Sequence, residues 1–479
     1  MPAVPHATGD WAGGGSASAG LTARSFPEGA KGHAKPVPQR LGLRLESKPR
    51  RFPFASSSIP FLPSPRPRMS SIPSTASSPA PRRDAATIAL VGYAHAVSHF
   101  FHLLIPVLFP WLMPAFGLSY TEVGAVMTLF FVLSGVGQAL AGLVVDRTGP
   151  VPVLLGGVLC LAVAGFLLAA AQSYAMLFVV AAVAGLGNCV FHPADYTLLN
   201  RRVAKARLAH AFSVHGLSGN LGWGAAPIVL TPLAANSGWR FAAVVAGGLA
   251  LLSLVFFFFW RKALTDHAAG ADKGAGTASV AASVSTGAVL RSPAVLLCFA
   301  FFFLATVAFG AIQNYSPALF HAMYGLSLGV AAMALTTYQV GAAVGTAVGG
   351  FIAQGRLLER TVALCMAFAA GLSLTLACGV LPAWAILPAM ALMGAGVGIA
   401  APSRDLLIRQ ATTRGLGEAS FGRVYGFVYS GLDAGLATAP LLFGALMDGA
   451  HYPALWLGVA IFQALAMFVA LRVGRLNFA

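Results

Sequence analysis

From Ala85 onward, apolar positions come in long unbroken runs, not in the stripes or alternations of a soluble fold. The runs cover approximately 86–112, 120–143, 151–171, 174–199, 209–234, 239–260, 293–319, 326–354, 361–381, 384–403, 421–446 and 452–473. A helix needs about 20 apolar residues to cross the hydrocarbon core of a bilayer. Backbone in lipid must satisfy its own hydrogen bonds, which favours helices. The pattern therefore predicts an all-α membrane protein of twelve transmembrane helices. The longest break, 261–291, is rich in Ala, Gly and Ser and divides the set six and six. Residues 85–260 and 292–474 are expected to form two pseudo-symmetric six-helix bundles joined by that linker.

Charge fixes the expected orientation, because cytoplasmic connections are enriched in Lys and Arg. Arg147, then Arg201, Arg202, Lys205 and Arg207 fall in alternate connections. So do Arg261, Lys262, Lys273 and Arg291 of the linker, Arg356 and Arg360, and Arg409, Arg414 and Arg423. The opposite connections carry only Arg240. Both termini are expected on the cytoplasmic side of the cell membrane. Residues 1–84 are another material, rich in Pro, Ser, Ala and Arg, with 12 Lys+Arg against 4 Asp+Glu. They bury too little apolar surface to order themselves. They read as a disordered basic tail, as a transit segment, or as sequence upstream of a start at Met69, the preferred reading.

Composition then removes whole classes of function. Only 9% of residues are charged and 57% are hydrophobic, against about 25% charged in a soluble domain. Mean hydropathy is +0.77. The net charge of +16 does not mark a nucleic-acid face, since half of it sits in residues 1–84 and the rest mostly in short connections. The five cysteines, Cys160, Cys189, Cys298, Cys365 and Cys378, lie singly in apolar runs, so neither disulfides nor a metal centre is expected. No phosphate-cradling Gly-rich loop ending in Lys-Ser/Thr is present, which argues against ATP as a driver. No helical HExxH and no membrane Gly-x-Ser-x-Gly occurs, so an enzyme is not expected.

The two halves repeat. Gly142-Leu-Val-Val-Asp146-Arg147-Thr-Gly149 follows the second run, and Gly350-Phe-Ile-Ala-Gln354-Gly-Arg356 follows the eighth, 208 residues later. Pro193 and Pro402 are offset by 209, and Asn220 with Pro227 matches Asp433 with Pro440 at 213. Parallel repeats of this kind are a transporter plan, with the substrate site near mid-bilayer between the halves. The Gly142, Asp146, Arg147, Gly149 segment resembles the loop signature of the major facilitator superfamily, with Pro150, Val151 and Pro152 following it and Gln354 replacing the acid in the second copy. Three further features resemble the fosmidomycin-resistance group of drug exporters: His95 with His99, Phe191-His192-Pro193, and His215-Gly216 with Gly219-Asn220. The resemblance covers roughly 85–474. It implies alternating access around a central site and outward movement of a small drug-like or anionic compound.

Polar side chains inside lipid are costly, so each is a candidate for function. His95, His99 and His102 fall on one face of the first helix, with Pro106 on the same stripe. They suit proton binding or a polar substrate, or else hydrogen bonds to neighbouring helices. No carboxylate or cysteine joins them, so a metal triad is not expected. Asn188, His192 and Asp195 share a face of the fourth helix, where His192 and Asp195 could pass a proton. The fifth helix offers His215 and Asn220 among Gly216, Gly219, Gly222 and Gly224, with packing the expected role of the glycines. The eleventh carries Tyr425, Tyr429 and Asp433 on one stripe. Asp433 lies half-way along its span, a candidate proton carrier or a carboxylate neutralised by Arg423 or Arg404. Gln313 and Asn314 in the seventh helix, and Tyr338 and Gln339 in the eighth, could line a cavity. Arg404 and Asp405 read as interfacial anchors, with Asp405 paired to Arg409.

The sequence thus predicts a monomeric secondary transporter, without cofactors, that exchanges protons for a small-molecule substrate across the lipid bilayer. Proton coupling is assigned to His95, His99, His102, His192, Asp195 and Asp433. Substrate contacts are assigned to Asn188, His215, Asn220, Gln313, Asn314, Tyr338, Gln339, Tyr425 and Tyr429. Gly142, Asp146, Arg147, Gly149 and Gly350 would serve the conformational loops. The alternatives are an uptake symporter for a sugar or organic acid, and a non-transporting sensor or scaffold.

Overall fold

A computed structural model describes residues 81–265, 286–353, 357–416 and 421–478. Met69 and the rest of the tail before Pro81, linker residues 266–285 with Lys273, and Gln354 and Arg356 lie outside the described residues. Within them, the secondary structure is helical. The first half comprises α1 (Pro81–His102), α2 (Leu104–Phe116), α3 (Tyr120–Thr148), α4 (Pro150–Ala169), α5 (Tyr174–Asn188), α6 (Phe191–Arg202), α7 (Lys205–Ser237) and α8 (Trp239–Thr265). After the short α9 (Thr286–Arg291) come α10 (Pro293–Tyr324), α11 (Leu328–Ile352), α12 (Leu358–Ala377), α13 (Ile386–Gly415), α14 (Phe421–Asp448) and α15 (Tyr452–Phe478).

Among the described residues, eleven spans are long and apolar enough to cross a membrane, with α1–α2 and α5–α6 each counting as one. The twelfth is α7. It has ample length at 33 residues, but His210, Ser213, His215, Ser218 and Asn220 dilute its hydropathy. Two of these residues, His215 and Ser218, bring α7 to the polar centre of the first bundle.

Two crossings are broken, each by a proline. Pro106 has no N–H to offer the carbonyl of His102, four residues back, and α1 ends there. Leu103 bonds Phe100 O instead, and α2 resumes at Leu104. Pro193 leaves the carbonyl of Cys189 without its helical partner in the same way, and α5 gives way to α6 across Cys189–Val190. Both breaks sit beside polar side chains of the central cluster.

Packing repeats between halves. In the first bundle α4 packs on α8, α1 on α7, α4 on α5 and α3 on α5. In the second, α12 packs on α15, α10 on α14, α12 on α13 and α11 on α13, one for one. The bundles meet along two seams, α3 with α14 and α7 with α11. Within the second bundle, α11 and α13 approach closely along one seam. Gly341, Gly345 and Gly349 stand at four-residue spacing against the backbone of Ala391, Ala395 and Ile399, where any side chain would collide.

The connection after α3 explains part of the loop signature. Gly149 adopts φ +86°, a region that favours glycine, and Pro150 opens the first turn of α4. Asp146 lies 3.9 Å from Arg201 at the end of α6, both largely exposed. Arg147 is exposed, as is Gly350 near the end of α11.

Candidate functional site

Five histidines from three crossings gather in the first bundle. His95 stacks on His215 with ring centroids 3.6 Å apart. It lies 4.1 Å from His99 and 5.4 Å from His192. His102 is 4.9 Å from His99, one turn on. Gly219 makes this possible. A β-carbon there would stand 2.6 Å from the His99 ring and 2.8 Å from that of His95. Gly222 likewise meets the backbone of Ala96. These two glycines let α1 and α7 approach closely enough for the rings to interleave, while Gly216 faces open space.

Hydrogen bonds orient the rings. His95 Nδ1 lies 2.8 Å from the His215 carbonyl, which also accepts from Ser218 Oγ at 2.7 Å. His215 Nε2 lies 3.1 Å from Asp195 Oδ2, and both residues are buried. His102 Nε2 lies 2.9 Å from Asn188 Oδ1, which also accepts from Ser98 Oγ at 3.0 Å. Asn188 Nδ2 donates to Ser134 Oγ at 2.8 Å. The Asn188 amide therefore ties α1, α3 and α5 together at the level of the two helix breaks.

One strand of this network leaves the first bundle. His192 Nδ1 lies 3.1 Å from Gln138 Oε1, and Gln138 Nε2 donates to Asp433 Oδ2 at 2.7 Å. Asp433 thus takes an amide of the other bundle as partner; of the two cations the sequence offered, Arg404 bonds Asp405 and the side chain of Arg423 lies outside the described residues. A second bridge is aromatic. Trp223 stacks on His99 at 4.0 Å, Phe309 lies 5.1 Å from Trp223, and Tyr338 lies 5.9 Å from Phe309. Thr336 Oγ1 donates to Gly224 O at 3.0 Å beside it.

The end of the molecule bearing Ser119 is latched between bundles. Asp448, at the end of α14, accepts from Tyr120 N at 2.6 Å, Thr121 N at 3.0 Å and Thr121 Oγ1 at 2.5 Å. A carboxylate suits a helix N-terminus, whose first N–H groups lack helical partners. Thr128 Oγ1 also donates across to Ala437 O at 2.8 Å, while Tyr315 OH donates within the second bundle to Pro440 O at 2.7 Å.

Several expected pairings are redistributed. His192 and Asp195 do not pair with each other. The break before α6 and the approach of α7 give Asp195 to His215 and His192 to Gln138. Asp405 bonds Arg404, its neighbour, at 2.9 Å, in place of the expected Arg409. Tyr429 OH lies 3.4 Å from Asp405 Oδ1 and its ring 4.8 Å from Phe302, so it belongs with that group and not with Asp433. The side chains of Tyr425, Arg423 and Arg414 lie outside the described residues. Gln313, Asn314 and Gln339 are buried. Asn314 Nδ2 donates to its own helix at Gly310 O. Asn220 is half-buried on α7 and makes none of the cluster's hydrogen bonds.

Sequence reasoning missed Gln138, Trp223 and Asp448. Gln138 carried the usable signal, a polar side chain inside an apolar run just before Gly142. Trp223 and Asp448 carried none, because aromatic residues and helix-end acids are ordinary in membrane proteins.

Comparison with known proteins agrees with this architecture. The fosmidomycin resistance protein of Escherichia coli (strain K12) is 27% identical over 266 residues, 54% of this chain and 63% of that protein. The chain therefore spans under two thirds of that relative's length. The membrane sensor protein UhpC of the same organism is 24% identical over 374 residues, 74% of this chain and 84% of that one. A crystal structure of a bacterial homologue of the human lysosomal transporter Spinster, in an inward-facing and occupied conformation, superposes with a TM-score of 0.63. It covers 84% of this chain and 97% of the other at 12% identity, a likeness of fold alone. The family model of the Major Facilitator Superfamily matches residues 91–421, and the chain belongs to that superfamily of membrane transporters.

Proposed function

We propose that this transporter exports a small anionic or drug-like compound in exchange for protons. The observation that carries the reading is the Asp433–Gln138–His192 bridge. Its carboxylate belongs to one bundle and its amide and imidazole to the other. Rocking of the bundles must shear this bridge. Protonation of Asp433 removes the charge that the amide donor faces, so it changes the cost of the same movement. A titrating group at a contact that exists in only one state is what links proton occupancy to conformation. The resistance named in the 27% identical relative supports outward movement.

With both termini cytoplasmic, the end latched by Asp448 is the external one. The conformation described is then closed toward the outside by the α3–α14 and α2–α10 contacts. Substrate would enter from the cytoplasm and meet the cluster of His95, His99 and His215 with Trp223 and Tyr338 at its border. The plasma membrane, a monomeric state and the role of the loop residues Asp146 and Arg147 belong to the same proposal.

The test begins with a ligand screen over phosphonates, organic acids and sugars, read as thermal stabilisation of the purified protein. A compound that stabilises is then tried for counterflow in proteoliposomes. Counterflow that persists in wild type and fails to couple to protons in Asp433→Asn is expected. Stabilisation without counterflow would place the chain with sensors, as the name of the 24% identical relative has it.

A further inference from the structure

We propose that His95, His99 and His192 form a binding site for a divalent transition-metal ion such as Zn²⁺, Co²⁺ or Ni²⁺. One ring nitrogen from each lies within 4.8 Å of the others. The stripe on α1 supplies two of them. The third comes from α6, which the sequence could not place beside it, and the proposal departs from the expectation that no metal is bound.

The hydrogen bonds decide which nitrogens are available. A carbonyl only accepts, so the His215 carbonyl fixes the hydrogen of His95 on Nδ1 and leaves a lone pair on Nε2. That Nε2 is buried with no hydrogen-bond partner among the described residues, on a residue 3% exposed. The Gln138 amide turns its Nε2 toward Asp433, which leaves Oε1 as the acceptor facing His192. His192 then carries its hydrogen on Nδ1, and its Nε2 is bare. His99 is 7% exposed, and its Nδ1 is also buried without a partner. Two buried rings and one half-buried ring thus bring imidazole nitrogens together, and the unpartnered ones can serve as metal ligands.

The surroundings match those of a metal-bound histidine. Such a ring usually donates its remote N–H to a carbonyl or carboxylate, which sets its tautomer. His95 does so to His215, and His192 does so to Gln138, itself held by Asp433. Trp223 covers the His99 face at 4.0 Å and excludes water from that side. The neighbouring imidazoles are spoken for, His215 by Asp195 and His102 by Asn188. Imidazole donors without thiolate or carboxylate suit borderline ions of this series, and three of them leave one position for water. Nitrogens bound at about 2 Å stand about 3.3 Å apart in a tetrahedral site. Metal binding therefore requires the rings to draw together from the 4.8 Å span seen here.

The proposal does not rest on the export reading, because its readout is binding to purified protein with no gradient. The full chain, freed of any affinity tag and stripped with chelator, is titrated with Co²⁺. One equivalent is expected to produce visible d–d absorption that Zn²⁺ displaces. X-ray absorption of the zinc form should report three imidazole nitrogens at about 2 Å. His99→Gln and His192→Ala should each weaken binding tenfold or more, with His321→Ala unchanged. Gln138→Leu removes the bond that orients His192 and should weaken binding by about 10–100-fold. A folded wild type that gives no cobalt absorption would overturn the proposal. So would a zinc shell with fewer than three imidazoles, or absorption undiminished in the triad variants.

Discussion

Gln138 joins the two bundles at the level of the histidine cluster. It donates to Asp433 and accepts from His192, so one amide spans the interface with both ends used. Replacing it with Leu keeps most of the volume and removes both bonds. Substrate-driven proton movement should fall tenfold or more in Gln138→Leu, a change of about 1.4 kcal/mol or greater. Unchanged movement would show that the bridge is idle. The α1–α7 contact allows a sharper comparison on a single helix. Gly216→Ala meets open space and should leave the melting temperature equal or higher, since Ala is the better helix former. Gly219→Ala sets a methyl against the His95 and His99 rings and should lower stability by about 1–3 kcal/mol. Equal melting curves for the two would contradict the packing described. At this scale the sequence exposed the histidines, because charged and polar groups are rare in its apolar runs. It could not assign their partners. Asp195 and His192 are three residues apart yet look to different helices, since the break set by Pro193 and the approach of α7 intervene.

Helix length and order were largely legible, because lipid demands long apolar runs and the runs are there. The breaks in the first and fourth crossings follow from Pro106 and Pro193 by the loss of one N–H each. What the runs do not encode is rotation about the helix axis, and every bond between bundles depends on it. The Asp448 cap on α3 is such a case, joining residues more than 300 positions apart. Asp448→Ala removes the acceptor of three donors and should loosen the Ser119 end. In a chain whose native cysteines are replaced, thiol labelling at Ala437→Cys should accelerate several-fold when Asp448→Ala is added. An unchanged labelling rate would mean that the cap does not hold this end closed. The α11–α13 seam should respond differently. Gly345→Leu has no space to occupy against Ala395, so the melting temperature should fall without altered labelling at position 437. Equal stability would contradict the contact.

For the whole molecule, pseudo-symmetry places equivalent helices at both seams, yet the two halves carry different chemistry. The first bundle holds the histidine cluster and the second supplies Asp433 from the α14 position that matches Asn220 on α7. In the proposed exchange, proton occupancy at the interface and substrate occupancy beside the cluster would bias one rocking movement in opposite senses. The most direct measurement uses inverted membrane vesicles with an acidified lumen and a lumenal pH indicator. A compound first shown to stabilise the purified protein is added outside. Lumenal pH should rise as protons leave in exchange, and Asp433→Asn should abolish the rise. A fall in lumenal pH would indicate symport, and no change with wild type, or an undiminished rise with Asp433→Asn, would contradict proton-coupled export through this bridge.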